Sequence, residues 1–72
     1  MLLIGKVGVI KSGDDAGYQV KVVDDSCVSG GFFILISKNF NDPNAEVFDS
    51  WVESYESLEG YFTESKWRIN WL

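Results

Sequence analysis

The sequence predicts an α+β fold, a small two-layer domain in which an antiparallel three-stranded meander is followed by one amphipathic helix and a final strand (β-β-β-α-β). Three observations carry this expectation. Segments that alternate apolar and polar residues lie on both sides of the chain's middle, and a run apolar at both parities, FFILIS, sits between them. Between Glu46 and Ser65 the apolar and acidic residues separate at helical spacing. With 72 residues the whole chain, 1–72, forms a single domain near the smallest size that folds without disulfides or metal. Eleven aromatic residues (three Trp, three Tyr, five Phe) supply the large buried areas that so short a chain needs.

The first strand is expected from Leu2 to Ile10, with Gly5 and Gly8 marking bulges or close contacts. Ser12 to Gly17, SGDDAG, has the composition of a hairpin connection. Tyr18 to Val23 then alternates, with Tyr18, Val20 and Val22 on one side and Gln19 and Lys21 on a wet one. DDSCVSGG, Asp24 to Gly31, reads as a second turn or longer loop. Phe32 to Ser37 is apolar on both faces and belongs in the interior of a sheet.

Ser37 to Asn44 is loop-like, after which three helix starts compete. Asp42 before Pro43 is one, Ser50 with Glu53 as a capping box is the second, and Ser54 is the third. A start at Ser54 makes Val47 to Glu53 an additional short strand. The longer helix is preferred because Val47, Trp51, Tyr55, Leu58 and Phe62 fall in one arc, opposite Glu46, Asp49, Glu53, Glu56 and Glu64. The closing segment alternates again, with Trp67, Ile69 and Trp71 sharing one side.

Charge is unevenly distributed along the chain. Up to residue 40 four lysines balance four aspartates, whereas residues 41 to 72 hold seven acids against Lys66 and Arg68, which accounts for the net charge of −5. Such a field repels phosphate backbones and anionic lipid and favours basic partners, so neither nucleic acid nor a membrane is expected as a ligand. No stretch approaches the length of a membrane span. The start lacks the basic region of a signal peptide, and the lone Cys27 fits a reducing compartment, so a cytoplasmic location is expected.

The chain contains no histidine, which removes Ser-His-Asp and Cys-His catalysis and imidazole metal ligation together. Cys27 follows Asp24 and Asp25, whose charge opposes thiolate formation. The pairs Asp14–Asp15 and Asp24–Asp25 lack calcium-loop spacing, and a meander puts them at opposite ends of its sheet. The glycines match no phosphate-binding pattern. The expectation is therefore no enzyme, no cofactor and no metal. Trp67, Trp71, Tyr18 and Tyr61 resemble a stacking platform, but core packing accounts better for the two tryptophans.

Two surfaces remain as candidates. Glu46, Asp49, Glu53 and Glu56, with Tyr61 as an aromatic anchor at the edge, form a row suited to a basic protein partner. The uncovered face of the sheet, carrying either Phe33 and Leu35 or Phe32, Ile34 and Ile36, is suited to a homodimer or another protein. In size, acidity and one-helix make-up the chain is similar to small bacterial or phage inhibitor and immunity proteins. That resemblance implies a non-enzymatic module that blocks a basic surface of a toxin or nucleic-acid-handling enzyme. The alternative is a homo-oligomeric structural or accessory subunit that uses the open apolar face.

Overall fold

The computed structural model of the chain describes residues 3 to 72. Five strands and one helix follow in the order β1 (Val7–Ile10), β2 (Gln19–Asp25), β3 (Gly31–Ser37), β4 (Val47–Val52), α1 (Tyr55–Ser65) and β5 (Ile69–Trp71). The sheet has the order β4-β3-β2-β1-β5, and every neighbouring pair is antiparallel. The α+β class, the meander, the single amphipathic helix and the final strand are as the sequence predicts. The expected start of the first strand at Leu2 lies outside the described residues. The turns carrying Asp14–Asp15 and Cys27 close opposite ends of the sheet.

The main departure is at residues 47 to 52, which form a fourth strand of the meander and not the first turns of the helix. Four of the six residues in VFDSWV are β-branched or aromatic, which suits a half-buried pleated surface. Local preference alone does not decide the matter. β3 is apolar on both faces and needs a hydrogen-bonded neighbour on each side. β2 fills one side through seven paired residues, and β4 fills the other through six, from Phe32 with Val52 to Ser37 with Val47.

The helix begins at the third of the competing sites. Ser54 is extended (φ −153°, ψ 164°), and its Oγ accepts the Ser57 N–H at 3.1 Å. Glu56 in the first turn complements the positive end of the helix dipole. Termination falls at Lys66, whose left-handed backbone (φ 55°) directs its N–H to the Thr63 carbonyl. Between these caps α1 connects the two edges of the sheet, β4 and β5.

Ladder partners share a face, so the register sorts every strand residue. Ile10, Val20, Val22, Phe32, Ile34, Ile36, Val52, Ile69 and Trp71 share one face. Ile10, Val20, Val22 and Ile34 are fully buried there, together with Leu58 from the helix. Tyr61, Phe62 and Trp67 pack against this core, with Phe62 and Trp67 edge to face at 5.3 Å between ring centres. Trp67 and Trp71 thus pack against the core, each partly exposed.

Two glycines allow the close approaches in this packing. A Cβ on Gly8 would run into the Ile69 side chain and lie 2.8 Å from the Trp71 ring, so only glycine lets β5 residues lie across β1. On the opposite face, a Cβ on Gly31 would collide with the Val52 carbonyl and come within 2.7 Å of the Trp51 indole.

Candidate functional site

The face away from the helix has no second layer among the described residues. Its rows follow from the register: Val7, Lys21, Leu35 and Asp49 run across four strands, and Val23, Phe33 and Trp51 form the next row. Val9 lies beside Gln19, and Val47 closes the far corner beside Ser37. Phe33 and Leu35 are half-buried, whereas Val47 and Trp51 stand 52% and 47% exposed. The alternative set, Phe32, Ile34 and Ile36, lies under the helix. The sequence left this parity open, and the seating of Leu58 and the helix on the Ile34 face resolves it.

Trp51 is held in place on this face. Its Nε1 donates to Ser29 Oγ at 2.9 Å, and its indole lies where a Gly31 side chain would otherwise project. A fixed, partly desolvated indole beside Phe33 has the character of an interface anchor. At the Gln19 corner, Gln19 Oε1 accepts the Phe40 N–H at 2.7 Å, and Ser37 Oγ accepts the Asn39 N–H at 3.3 Å. The loop after β3 therefore folds over that corner, and Ser37 is fully buried. The accessible apolar area is concentrated in the Leu35 and Phe33 rows.

The acids predicted to line one helix face lie on different elements. Glu46 precedes β4, Asp49 projects from β4 onto the open face, Glu53 lies in the bend before the helix, and Glu56 begins the helix. All four are exposed, and together they follow the outer edge of the sheet and its turn into α1. The continuous helical row does not exist, because residues 46 to 53 are not helical. Tyr61 packs inward instead, 5.9 Å from the Trp67 ring, with its hydroxyl 3.5 Å from Ser50 Oγ. Val47 and Trp51, expected in the buried stripe of the helix, are the residues sequence reasoning missed for the open face. The β-branched and aromatic content of VFDSWV, with Ser54 available as a later helix start, was the signal that would have found them.

Elsewhere the surface offers shallow grooves. One of about 460 Å³ runs between the end of the helix and β5, where Phe62, Trp67 and Trp71 meet Glu59, Thr63 and Lys66. It is open to solvent and its polar groups come from successive exposed turns. A smaller one of about 300 Å³ lies by Tyr18, Lys38 and Phe48, where the Lys38 ammonium sits 5.7 Å above the Tyr18 ring. Among the described residues no three His, Cys, Asp or Glu side chains are grouped to hold a metal ion. No described helix is long and apolar enough to cross a membrane.

One carboxylate has a shifted affinity for protons. The Ser26 hydroxyl, and after it the Ser26 backbone N–H at 2.9 Å, hold the Asp24 carboxyl below its usual range. This is a turn-stabilising arrangement on a fully exposed group. Comparison with protein-family models, curated proteins and solved structures gives no match. The functional reading therefore rests on the surface itself.

Proposed function

We propose that this chain is a non-enzymatic protein-binding module whose contact surface is the open face of its sheet, anchored by Phe33, Leu35 and Trp51. A single observation carries the reading: seven apolar residues (Val7, Val9, Val23, Phe33, Leu35, Val47 and Trp51) share a face that, outside its Gln19 corner, no second layer of the described residues covers. The sequence keeps large side chains there although the helix already supplies the core on the other side. Burial of such a face in a complex removes it from water at roughly 25 cal/mol per Å² before association costs are met.

The acids along β4 give this surface a negative border. Asp49 stands on the face, while Glu46 and Glu53 flank the strand. They repel a second β4 edge and so oppose edge-to-edge pairing, which natural sheets resist by placing charges on edge strands. They also favour a partner with a basic rim, the chemistry expected of an inhibitor, immunity or accessory protein. The exposed helix acids Glu56, Glu59 and Glu64 lie on the far layer and serve solubility.

The test uses the full chain as bait with two variants. Phe33→Ser with Leu35→Ser removes the apolar centre of the open face, and Glu56→Lys with Glu59→Lys reverses charge on the helix. Proteins retained by the wild type should be lost with the first variant and kept with the second, once circular dichroism shows both variants folded. Retention indifferent to Phe33 and Leu35, or lost only on the helix side, overturns the reading.

A further inference from the structure

We infer that the open face is built to receive a second copy of this chain, stacked face to face about a two-fold axis that runs along β3. This rests on the open face being a protein-contact surface, and it names a second copy as occupant in place of a basic-rimmed partner, with Lys21 the basic group that meets Asp49.

The argument starts from where the few charges of that face stand. In one row across the sheet, Lys21 on β2 and Asp49 on β4 are the two ladder neighbours of Leu35 on β3. They flank Leu35 symmetrically, each about one strand spacing of ~4.8 Å away. A two-fold axis parallel to β3, between two stacked sheets, exchanges the positions above β2 and β4. Lys21 of one copy then faces Asp49 of the other, twice per dimer, and Leu35 faces Leu35. In the adjoining row Phe33 meets Phe33, and Val23 meets the Trp51 indole. Sheets stack about 10 Å apart, a gap that a lysine and an aspartate reaching toward each other can span.

The charge pattern also selects among arrangements. A two-fold axis in the same plane but perpendicular to the strands, centred on Leu35, superimposes like on like: Lys21 on Lys21 and Asp49 on Asp49. Pairing through β4 edges brings together strands bordered by Glu46, Asp49 and Glu53. Of these arrangements, the axis along β3 alone sets opposite charges against each other around Leu35 while stacking Leu35 and Phe33 on their own copies, the self-complementarity that a closed isologous interface requires.

Size sets the strength of the contact. The molecule's two longer extents, 29 and 27 Å, bound the whole five-strand face at about 780 Å², and an axis along β3 overlaps only β2, β3 and β4, so the contact falls well below the ~800 Å² per partner of a standard stable interface. The covered Gln19 corner reduces the usable area. At the far end of the strands Asp25 and Glu53 add a solvated repulsion between copies. The expected complex is therefore a reversible dimer that dissociates on dilution through the micromolar range.

The experiment is sedimentation equilibrium of the full chain across a dilution series, for wild type, Lys21→Glu, Asp49→Lys and the double swap. Each single change turns two attractive pairs into two repulsive ones and should weaken the dimer about tenfold or more, a loss of at least ~1.4 kcal/mol. The double swap restores opposite charges and should return the dimer to near wild-type strength, which also shows that neither site is required for folding. A wild type that is monomeric up to about 1 mM overturns the second copy as occupant. A dimer indifferent to Lys21→Glu, or not rescued by the double swap, overturns the axis along β3. Loss of all retention in the Phe33 and Leu35 variant bait, alongside a monomeric wild type, leaves the contact surface standing with a different partner.

Discussion

Leu58 is the one helix residue with no exposed surface, and its truncation tests how the helix is seated on the sheet. It packs into the cluster of Ile10, Val20, Val22 and Ile34. Replacing a fully buried leucine with alanine costs about 2–5 kcal/mol, the transfer of the lost atoms plus the cavity they leave. A 72-residue domain at about 0.05–0.15 kcal/mol per residue holds roughly 4–11 kcal/mol in all. Leu58→Ala at about 3 kcal/mol therefore removes a large fraction of the stability, a fall in Tm of roughly 12–24 °C for a domain of this size. Urea denaturation followed by tryptophan fluorescence reads the loss, because Trp67 and Trp71 pack against the core. The companion variant is Val47→Ala, at a residue 52% exposed on β4. Its expected cost is below about 1 kcal/mol, the β-propensity difference on an edge strand. A helix spanning residues 46 to 65 would bury Val47 and Leu58 in the same stripe. Equal losses for the two variants, or a loss below about 1 kcal/mol for Leu58→Ala, would refute the assignment of residues 47 to 52 to the sheet and of Leu58 to the helix that covers it.

Two further outcomes rest on local geometry. Gly8→Ala should destabilise by about 1–3 kcal/mol in the same denaturation assay, because the added methyl meets Ile69 and Trp71; a gain in stability, the ordinary effect of replacing a strand glycine, would show that β5 does not lie across β1. The Asp24 carboxyl should titrate below the ordinary aspartate range by NMR and move back up in Ser26→Ala. Since its folded pKa is lowered, its contribution to stability is present above the unfolded value and disappears as pH falls through the folded value, in the acidic limb only. An Asp24 titration unchanged by Ser26→Ala would remove the hydroxyl as the cause.

Much of the fold was legible because its signals are local. Tyr18, Val20 and Val22 against Gln19 and Lys21 declared a strand with one wet face, and Val20 and Val22 are fully buried. The two-sided run Phe32 to Ser37 declared an interior strand, and β3 has neighbours on both sides. Gly8 was marked as a bulge or a close contact, and the β5 side chains lie against it. Ser54 was among the candidate caps, and it is the one used. The candidate site was legible only in part. Phe33 and Leu35 were named as one of two parities, while Val47 and Trp51 were assigned to a buried helical stripe that the strand β4 replaces.

The sequence by itself determined the class of domain, the inward side of Val20 and Val22 and the excess of acid in its second half, since each depends on composition or on spacing within a few residues. VFDSWV has the β-branched and aromatic content of a strand and, joined to residues 53 to 65, the spacing of a helix, so local signals could not choose between them. The choice was made by the unpaired outer edge of β3, whose backbone hydrogen bonds are supplied by residues 10 to 20 positions away. Pairing there turned Asp49 and Trp51 onto the open face and left Phe33 and Leu35 uncovered between β2 and β4, an arrangement that exists only once distant segments have met.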